Sequence, residues 1–208
     1  MKGTAYSFAE QVDREIETLT ESDYLRRRDR GKRLREELYP ISRLALQLKQ
    51  PGLEIEVEGF ENDGPVDGHI RETGFREEEF DIEVTSDYSY EESLRDELLV
   101  AEGVAWGAGD IYRDKMSRNV VATAGVVDHD EHVERVCEAV IRLFRNKSVV
   151  SYPPNTVLII CFDEIKLFGH YSWSQMLSCV GAQGGLAGSA FRSIYLFNMA
   201  TNELQNAA

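Results

Sequence analysis

The chain is poor in the residues that mark disulfide-stapled or membrane-spanning proteins. It has three cysteines in 208 residues, widely spaced and without a Cys-x-x-Cys pair. This spacing argues against a disulfide framework and against a cysteine-rich zinc site. No apolar run reaches the roughly 18 residues of a transmembrane helix, and the first residues lack the apolar segment of a signal peptide. These absences predict a cytoplasmic chain without membrane contact.

Basic residues are scarce relative to acidic ones. The chain has 23 Lys and Arg against 37 Asp and Glu, so its formal net charge is −14. Proteins that hold nucleic acid need many cationic phosphate contacts, so this balance disfavours nucleic acid as a general partner. One segment departs from it, since Arg26 to Arg33 contains six basic residues. Two roles stay open for this run: phosphate contact, or a helix surface paired with neighbouring acids, which we favour.

The spacing of apolar residues changes along the chain. Before Gln50 they recur every three or four positions, which predicts helices. From Leu53 to Val84 they alternate with polar residues in three stretches separated by turn residues, which predicts an antiparallel meander. Beyond it, residues 132–146 predict a helix, and residues 156–162 and 191–197 predict buried strands.

This order of elements predicts an α/β protein with a mixed central sheet and helices on both faces. Residues 1–30 are predicted to form an N-terminal helical arm, and residues 31–208 a single α/β domain. Because the arm exceeds what the core needs, its helices are a candidate contact for a homo-oligomer.

The polar face of the second and third predicted strands is the strongest candidate for a functional site. Alternate strand residues point the same way, so Asp67 and Glu83 are expected to share one face of the sheet. Sheltered carboxylates repel one another unless a cation neutralises them, and Mg²⁺ or Mn²⁺ prefers such oxygen ligands. The alternative is a solvated acidic face, and the pattern favours neither.

The helix before the strands offers a third acid. Glu37 falls within the apolar stripe of that helix, whereas Glu36 falls on its wet face. We therefore predict Glu37 as a further metal ligand. The alternative, which we favour for Glu37 taken alone, is a surface acid paired with Arg33 or Arg95.

The sequence Asp67-Gly-His-Ile, a hairpin, Asp81-Ile-Glu-Val-Thr85 and a helix together resemble the core of the PD-(D/E)xK nucleases. The resemblance implies a restriction-endonuclease-like αβββαβ core between Glu37 and about Asp163. It also implies Mg²⁺- or Mn²⁺-dependent cleavage of nucleic acid. By position, Asp67 matches the strand aspartate, Glu83 the acidic ligand and Glu37 the helix acid.

One position departs from the family pattern. Thr85 stands where the family has the lysine that positions the attacking water. Thr85 and Arg95 are then the candidates to orient water or phosphate, although Arg95 keeps its charge and cannot act as a base. The missing lysine and the acidic charge also support an alternative, a non-catalytic binding or assembly module with the same fold.

A second cluster lies at residues 128–132, where two histidines and three acids stand together. They could bind Zn²⁺ or Mn²⁺. The favoured prediction is a helix start, because Asp and Glu stabilise the N-terminal end of a helix.

Overall fold

The alternating segments of the sequence form a sheet, and the segments with helical periodicity cover it. The computed structural model describes residues 1–27, 29–60, 64–107, 109–126, 128–164, 169–186 and 190–207. Arg28 of the basic run lies outside these residues. The elements are β1 (Lys2–Thr4), α1 (Ala5–Glu17), α2 (Glu21–Arg26), α3 (Asp29–Arg33), a π-helical turn (Leu34–Leu38), α4 (Tyr39–Leu48), β2 (Leu53–Gly59), β3 (Gly68–Gly74), β4 (Glu78–Ser86), α5 (Tyr90–Glu102), β5 (Ile111–Arg113), β6 (Val120–Ala122), α6 (His129–Ser148), β7 (Val157–Phe162), α7 (Gly169–Ala182), β8 (Ser193–Asn198) and β9 (Glu203–Asn206).

The main sheet has seven strands in the order β1-β2-β3-β4-β7-β8-β9. Strands β1 to β4 are antiparallel neighbours, β4, β7 and β8 run parallel, and β9 returns antiparallel to β8. This confirms the predicted α/β class with a mixed sheet. The edge strand β1 escaped prediction because three residues are too few to show an alternating pattern.

Helices cover both faces of the sheet, as predicted. On one face, Phe8 of α1 and Ile41 and Leu44 of α4 pack with Val157 and Ile159 of β7. On the other face, α6 and α7 pack on the alternate residues of β7, which are Leu158, Ile160 and Phe162. Every residue of β7 is buried, because this strand is covered from both sides.

The first residues take part in this packing. Strand β1 pairs with β2, and α1 places Ala5, Phe8 and Val12 in the same apolar cluster as the sheet. The division at residue 30 into an arm and a domain stays a prediction.

A long connection joins the parallel neighbours β4 and β7. It contains α5, the separate two-stranded sheet β5–β6, and α6. Ile111 of β5 is buried, and Arg113 forms an ion pair with Glu97 of α5. No described helix combines the length and apolar composition that a membrane crossing requires.

Candidate active site on strands β3 and β4

The first member of the site, Asp67, immediately precedes β3. The backbone N–H of Val84 donates to Asp67 Oδ2 at 2.7 Å, and the backbone N–H of Asp67 donates to the carbonyl of Ile82 at 2.8 Å. Asp67 therefore closes the end of the β3–β4 ladder. Burial raises the pKa of Asp67 to about 7; the bond from Val84 opposes this, and the neighbouring carboxylates of Glu83 and Glu37 add to it.

The second member, Glu83, is a buried carboxylate on β4. Glu83 is 7% exposed and stands beside Leu158, so it faces the layer of α6 and α7. Lys147, in the last turn of α6, donates to its Oε1, and the hydroxyl of Tyr152 donates to the same oxygen at 3.2 Å. Burial lowers the pKa of Lys147, but the hydrogen bond and charge of Glu83 outweigh it, so the pKa is raised. Lys147 is therefore a stable cation at neutral pH.

The register of β3 on β4 brings the two predicted acids together. Gly68 pairs with Ile82, so Asp67 meets Glu83 one step further along the antiparallel ladder. The next two pairs on the same face carry complementary groups: His69 Nδ1 lies 3.0 Å from Asp81 Oδ1, and Arg71 Nη2 lies 3.5 Å from Glu79 Oε2.

Like charges opposite each other destabilise a sheet, whereas opposite charges stabilise it. On this face, Arg71 and Glu79 are an opposite-charge pair and His69 hydrogen-bonds to Asp81, whereas Asp67 and Glu83 are a like-charge pair at the end of the strands. Lys147 supplies one positive charge against these two carboxylates, so the group made by Asp67, Glu83 and Lys147 carries an excess negative charge when both acids are ionised. We call these three residues the strand-face site.

A π-helical turn reverses the predicted roles of Glu36 and Glu37. Pro40 has no N–H to donate to the carbonyl of Glu36, and its ring would clash with that carbonyl in a regular helix. The helix widens instead, and the N–H of Tyr39 bonds to the carbonyl of Leu34. Helical periodicity is lost at this point, so the assignment of Glu36 to the wet face is wrong.

The structure buries Glu36 and leaves Glu37 partly exposed. Glu36 is 8% exposed, and Ser86 donates its hydroxyl to Glu36 Oε2 at 3.1 Å. Glu37 is paired with Arg33 at 3.0 Å, which is the surface pairing held open as the alternative. Burial raises the pKa of Glu37, while Arg33 opposes this rise. Glu37 is nevertheless close enough to affect Asp67 electrostatically.

A cavity of about 410 Å³ lies between the π-helical turn and the end of β4. Its lining is charged and polar and comprises Arg27, Lys32, Glu36, Glu37, Val84, Thr85, Ser86 and Tyr88. Predicted residues Glu37 and Thr85 therefore share this cavity. Asp67 adjoins it through its bond to Val84.

A buried ionic cluster stands beside the cavity, where the parallel strands β4 and β7 end. Arg27 contacts Glu36 at 3.7 Å and Asp163 at 3.2 Å, and Arg35 contacts the same Asp163 oxygen at 2.7 Å. The guanidinium of Arg27 also stacks over the ring of Tyr88, 3.9 Å from its centroid. We call the four charged residues Arg27, Arg35, Glu36 and Asp163 the strand-end cluster. Arg30 of the basic run pairs with Glu15, as the favoured prediction for that run expected, whereas Arg27 is buried and pairs with Glu36 and Asp163 instead of an upstream acid.

Arg95 lies elsewhere. Its guanidinium donates to the carbonyls of Trp106 and Gly109, each at 3.2 Å, and so holds the segment before β5. It does not line the cavity described above. Lys147, which donates to Glu83 from α6, was not among the residues predicted for the site. A signal was present, because Lys147 continues the apolar stripe of Val136, Val140 and Phe144 on α6.

Residues 128–132 form the start of α6. Asp128 is its N-cap and accepts from the backbone N–H of Asp130 at 2.9 Å. This confirms the favoured capping prediction. Within the described residues, no three His, Cys, Asp or Glu side chains converge into a ready-made metal site.

Comparisons of the chain with protein-family models, with curated proteins and with solved structures found no match.

Proposed function

We propose that this chain is a metal-dependent phosphodiesterase of the PD-(D/E)xK-like type that cleaves nucleic acid at the strand-face site. One observation carries the proposal: Asp67 and Glu83 form a sheltered like-charge pair on a sheet face whose neighbouring cross-strand pairs are His69–Asp81 and Arg71–Glu79. A pair of that kind is costly to the fold, and such costs concentrate at functional sites.

Lys147 supports the proposal by supplying the basic residue that Thr85 fails to provide. It reaches the acidic ligand Glu83 from α6 rather than from the same strand. The resemblance implies a basic residue from the next helix in this role, whereas Lys147 comes from α6, the second helix after β4. In our proposal Lys147 replaces Arg95 as the catalytic cation.

The residues present fit a hard divalent ion. Mg²⁺ is commonly held by one or two carboxylates, with water and substrate phosphate completing its shell. Asp67 Oδ2 accepts from the Val84 N–H, and burial raises the pKa of Asp67, to which the carboxylates of Glu83 and Glu37 add, so a bound cation would favour its ionised form. Asp67 and Glu83 would hold Mg²⁺ or Mn²⁺. The bound ion would activate water and offset charge on the scissile phosphate.

The protein's own groups then have distinct roles. The Val84 N–H fixes the orientation of Asp67, and Tyr152 holds Glu83. Lys147 stays protonated, so it stabilises negative charge at the phosphate and does not act as a base. Thr85, on the cavity wall, offers a hydroxyl that can orient phosphate or water.

The net charge of −14 restricts how nucleic acid is held. With few cations to offset phosphates, we expect weak binding that depends strongly on the divalent ion and changes little with monovalent salt. Contact through the N-terminal helices in a homo-oligomer, and a cytoplasmic location, stay predictions.

The decisive experiment incubates the full chain with plasmid and single-stranded DNA in Mn²⁺ or Mg²⁺. We expect cleavage that chelation abolishes, and a loss of about 100-fold or more in Asp67→Asn, Glu83→Gln and Lys147→Met. Asp81→Asn is the matched control, because Asp81 lies on the same face of β4 and pairs with His69. Its rate should stay within a few-fold of wild type.

Absence of cleavage, together with the same Mn²⁺ thermal shift in wild type and Asp67→Asn, would refute the enzymatic role. A second candidate is then the non-catalytic binding or assembly module. It is favoured by the ion pair with Lys147, which already neutralises Glu83 without a metal. Metal-dependent cleavage that is lost in Glu83→Gln would remove this alternative.

A further inference from the structure

Two of the three cysteines meet between the helices on one face of the sheet. Cys137 of α6 is a buried member of the apolar cluster formed by α6, α7 and the sheet, and Cys179 of α7 packs against that cluster. The third, Cys161 of β7, faces the opposite layer and is fully buried. The tertiary fold therefore groups two thiols that lie far apart in sequence and excludes the third.

The two sulfurs share one neighbour. Gln183 Nε2 lies 3.8 Å from Cys137 Sγ and 3.8 Å from Cys179 Sγ. Burial raises the pKa of the Cys137 thiol to about 12, and a hydrogen bond with the Cys179 thiol contributes to the rise. The two thiols therefore lie close together beside the Gln183 amide.

Their exposure differs in a way that sets an order of reaction. Cys137 is wholly buried, whereas Cys179 is partly exposed. A small oxidant therefore reaches Cys179 first, and Cys137 is the thiol nearest to the oxidised sulfur of Cys179. Cys179 is accordingly the entry point and Cys137 the resolving residue.

We propose that Cys137 and Cys179 are a modification site that a small hydroperoxide converts into an intramolecular disulfide. The Cys179 thiolate attacks the peroxide, forms a sulfenic acid and releases hydroxide. The Cys137 sulfur then attacks the Cys179 sulfur, its proton passes to the departing oxygen, and water leaves. In sum, two thiols and one hydrogen peroxide give one disulfide and two waters, and a thiol reductant reverses the change.

The bond would tie α6 to α7. The disulfide would close the loop from Cys137 to Cys179, which restricts the unfolded chain. For a domain of this size we expect the oxidised protein to melt roughly 5 °C or more above the reduced one.

The test treats the folded full chain with hydrogen peroxide and then alkylates all remaining thiols under denaturing conditions. The expected result is one alkylated cysteine instead of three and an unalkylated mass lower by two hydrogens. Trypsin should release a linked pair of peptides, residues 136–142 and 167–192, while Cys161 stays alkylated in residues 148–166. Dithiothreitol should restore all three thiols.

Matched single variants separate the pair from the bystander. Cys161→Ser should still lose both of its thiols, whereas Cys179→Ser should retain both. Cys179 is the partly exposed member, so its replacement is the one least expected to disturb the core. Three thiols after oxidation, a disulfide-linked dimer through Cys179, or a sulfinic acid at Cys179 with Cys137 free would each overturn the proposal.

Discussion

The two charged groups near the end of β4 differ in how their acids are paired. The strand-end cluster has two arginines and two acids, each acid contacts at least one arginine, and Arg27 Nε also lies 4.0 Å from Asp96 Oδ2. The strand-face site has two acids and one lysine, and Asp67 keeps a raised pKa. Both lie in sheltered surroundings.

The two groups differ in whether their buried acids are neutralised by opposite charges within the protein. Buried charges are tolerated when each finds an opposite charge and hydrogen bonds. Each acid of the strand-end cluster contacts an arginine, although Arg27 Nε and Glu36 Oε1 are buried without a hydrogen-bond partner among the described residues, and we interpret the cluster as a structural clamp between α2, the π-helical turn and β7. In the strand-face site Lys147 pairs with Glu83 and burial raises the pKa of Asp67, so we interpret this site as the functional group. Removing a charge should therefore destabilise the strand-end cluster, whereas neutralising Asp67 should stabilise the protein.

The largest effect is expected from Arg27→Met. This change leaves Glu36 buried without its nearest cation, so the free energy of unfolding should fall by about 3–5 kcal/mol. Urea denaturation measures it. Arg14→Met is the control, because the Arg14–Glu10 pair is exposed and should contribute almost nothing. Equal stability of the two variants would contradict the clamp.

Glu83→Gln should have the next largest destabilising effect. It leaves Lys147 beside a neutral amide without an opposite charge, and it should reduce the free energy of unfolding by roughly 2 kcal/mol. The cost is smaller than for Arg27 because the Lys147 side chain is 28% exposed. Adding Lys147→Met should recover part of the loss, a coupling that a double-mutant cycle measures. Additive losses would show that the pair does not interact.

Asp67→Asn should act in the opposite direction. Its folded pKa of about 7 lies above the ordinary 3.8, so wild-type stability from this group is present at low pH and is lost as pH rises through 7. Asparagine keeps an oxygen for the Val84 N–H but has no charge. The variant should match wild type near pH 4 and exceed it by up to about 4 kcal/mol at pH 8, at about 1.4 kcal/mol per pKa unit. Denaturation curves across pH check this, and a pH-independent difference would contradict it.

Ser86→Ala should give the smallest change. It removes the hydroxyl that donates to Glu36 Oε2, while Arg27 still neutralises the carboxylate. The expected loss is about 1 kcal/mol, typical of one buried hydrogen bond. A loss as large as that of Arg27→Met would mean that the hydroxyl, rather than the arginine, holds Glu36 in place.

Part of the site could be predicted because strand periodicity is simple. In each strand the apolar residues point to one face and the alternate residues, Asp67 and Glu83 among them, point to the other. The register that pairs Gly68 with Ile82 keeps both acids on the same face. The same reasoning failed at Glu36, because Pro40 imposes a π-helical turn and the three- to four-residue rule no longer applies. A single widened turn is enough to exchange the two neighbouring glutamates.

Other members of the site depend on contacts between distant segments. Lys147 lies 64 residues after Glu83, on α6. The helical periodicity shows that Lys147 lies on the buried face of α6, but it does not show that this face meets Glu83. Arg95 was the nearer cation in sequence, yet α5 turns it toward the loop before β5. Proximity along the chain was therefore a poor guide to proximity in space.

The sequence by itself determined the α/β class, the alternating face that carries Asp67 and Glu83, and a helix start within residues 128–132, because these follow from local periodicity and capping chemistry. Only the tertiary structure decided which cation pairs with those acids, which of Glu36 and Glu37 is buried, and which two thiols lie close together. Those outcomes depend on how strands and helices distant in sequence pack, and packing is set by the whole core rather than by any local pattern.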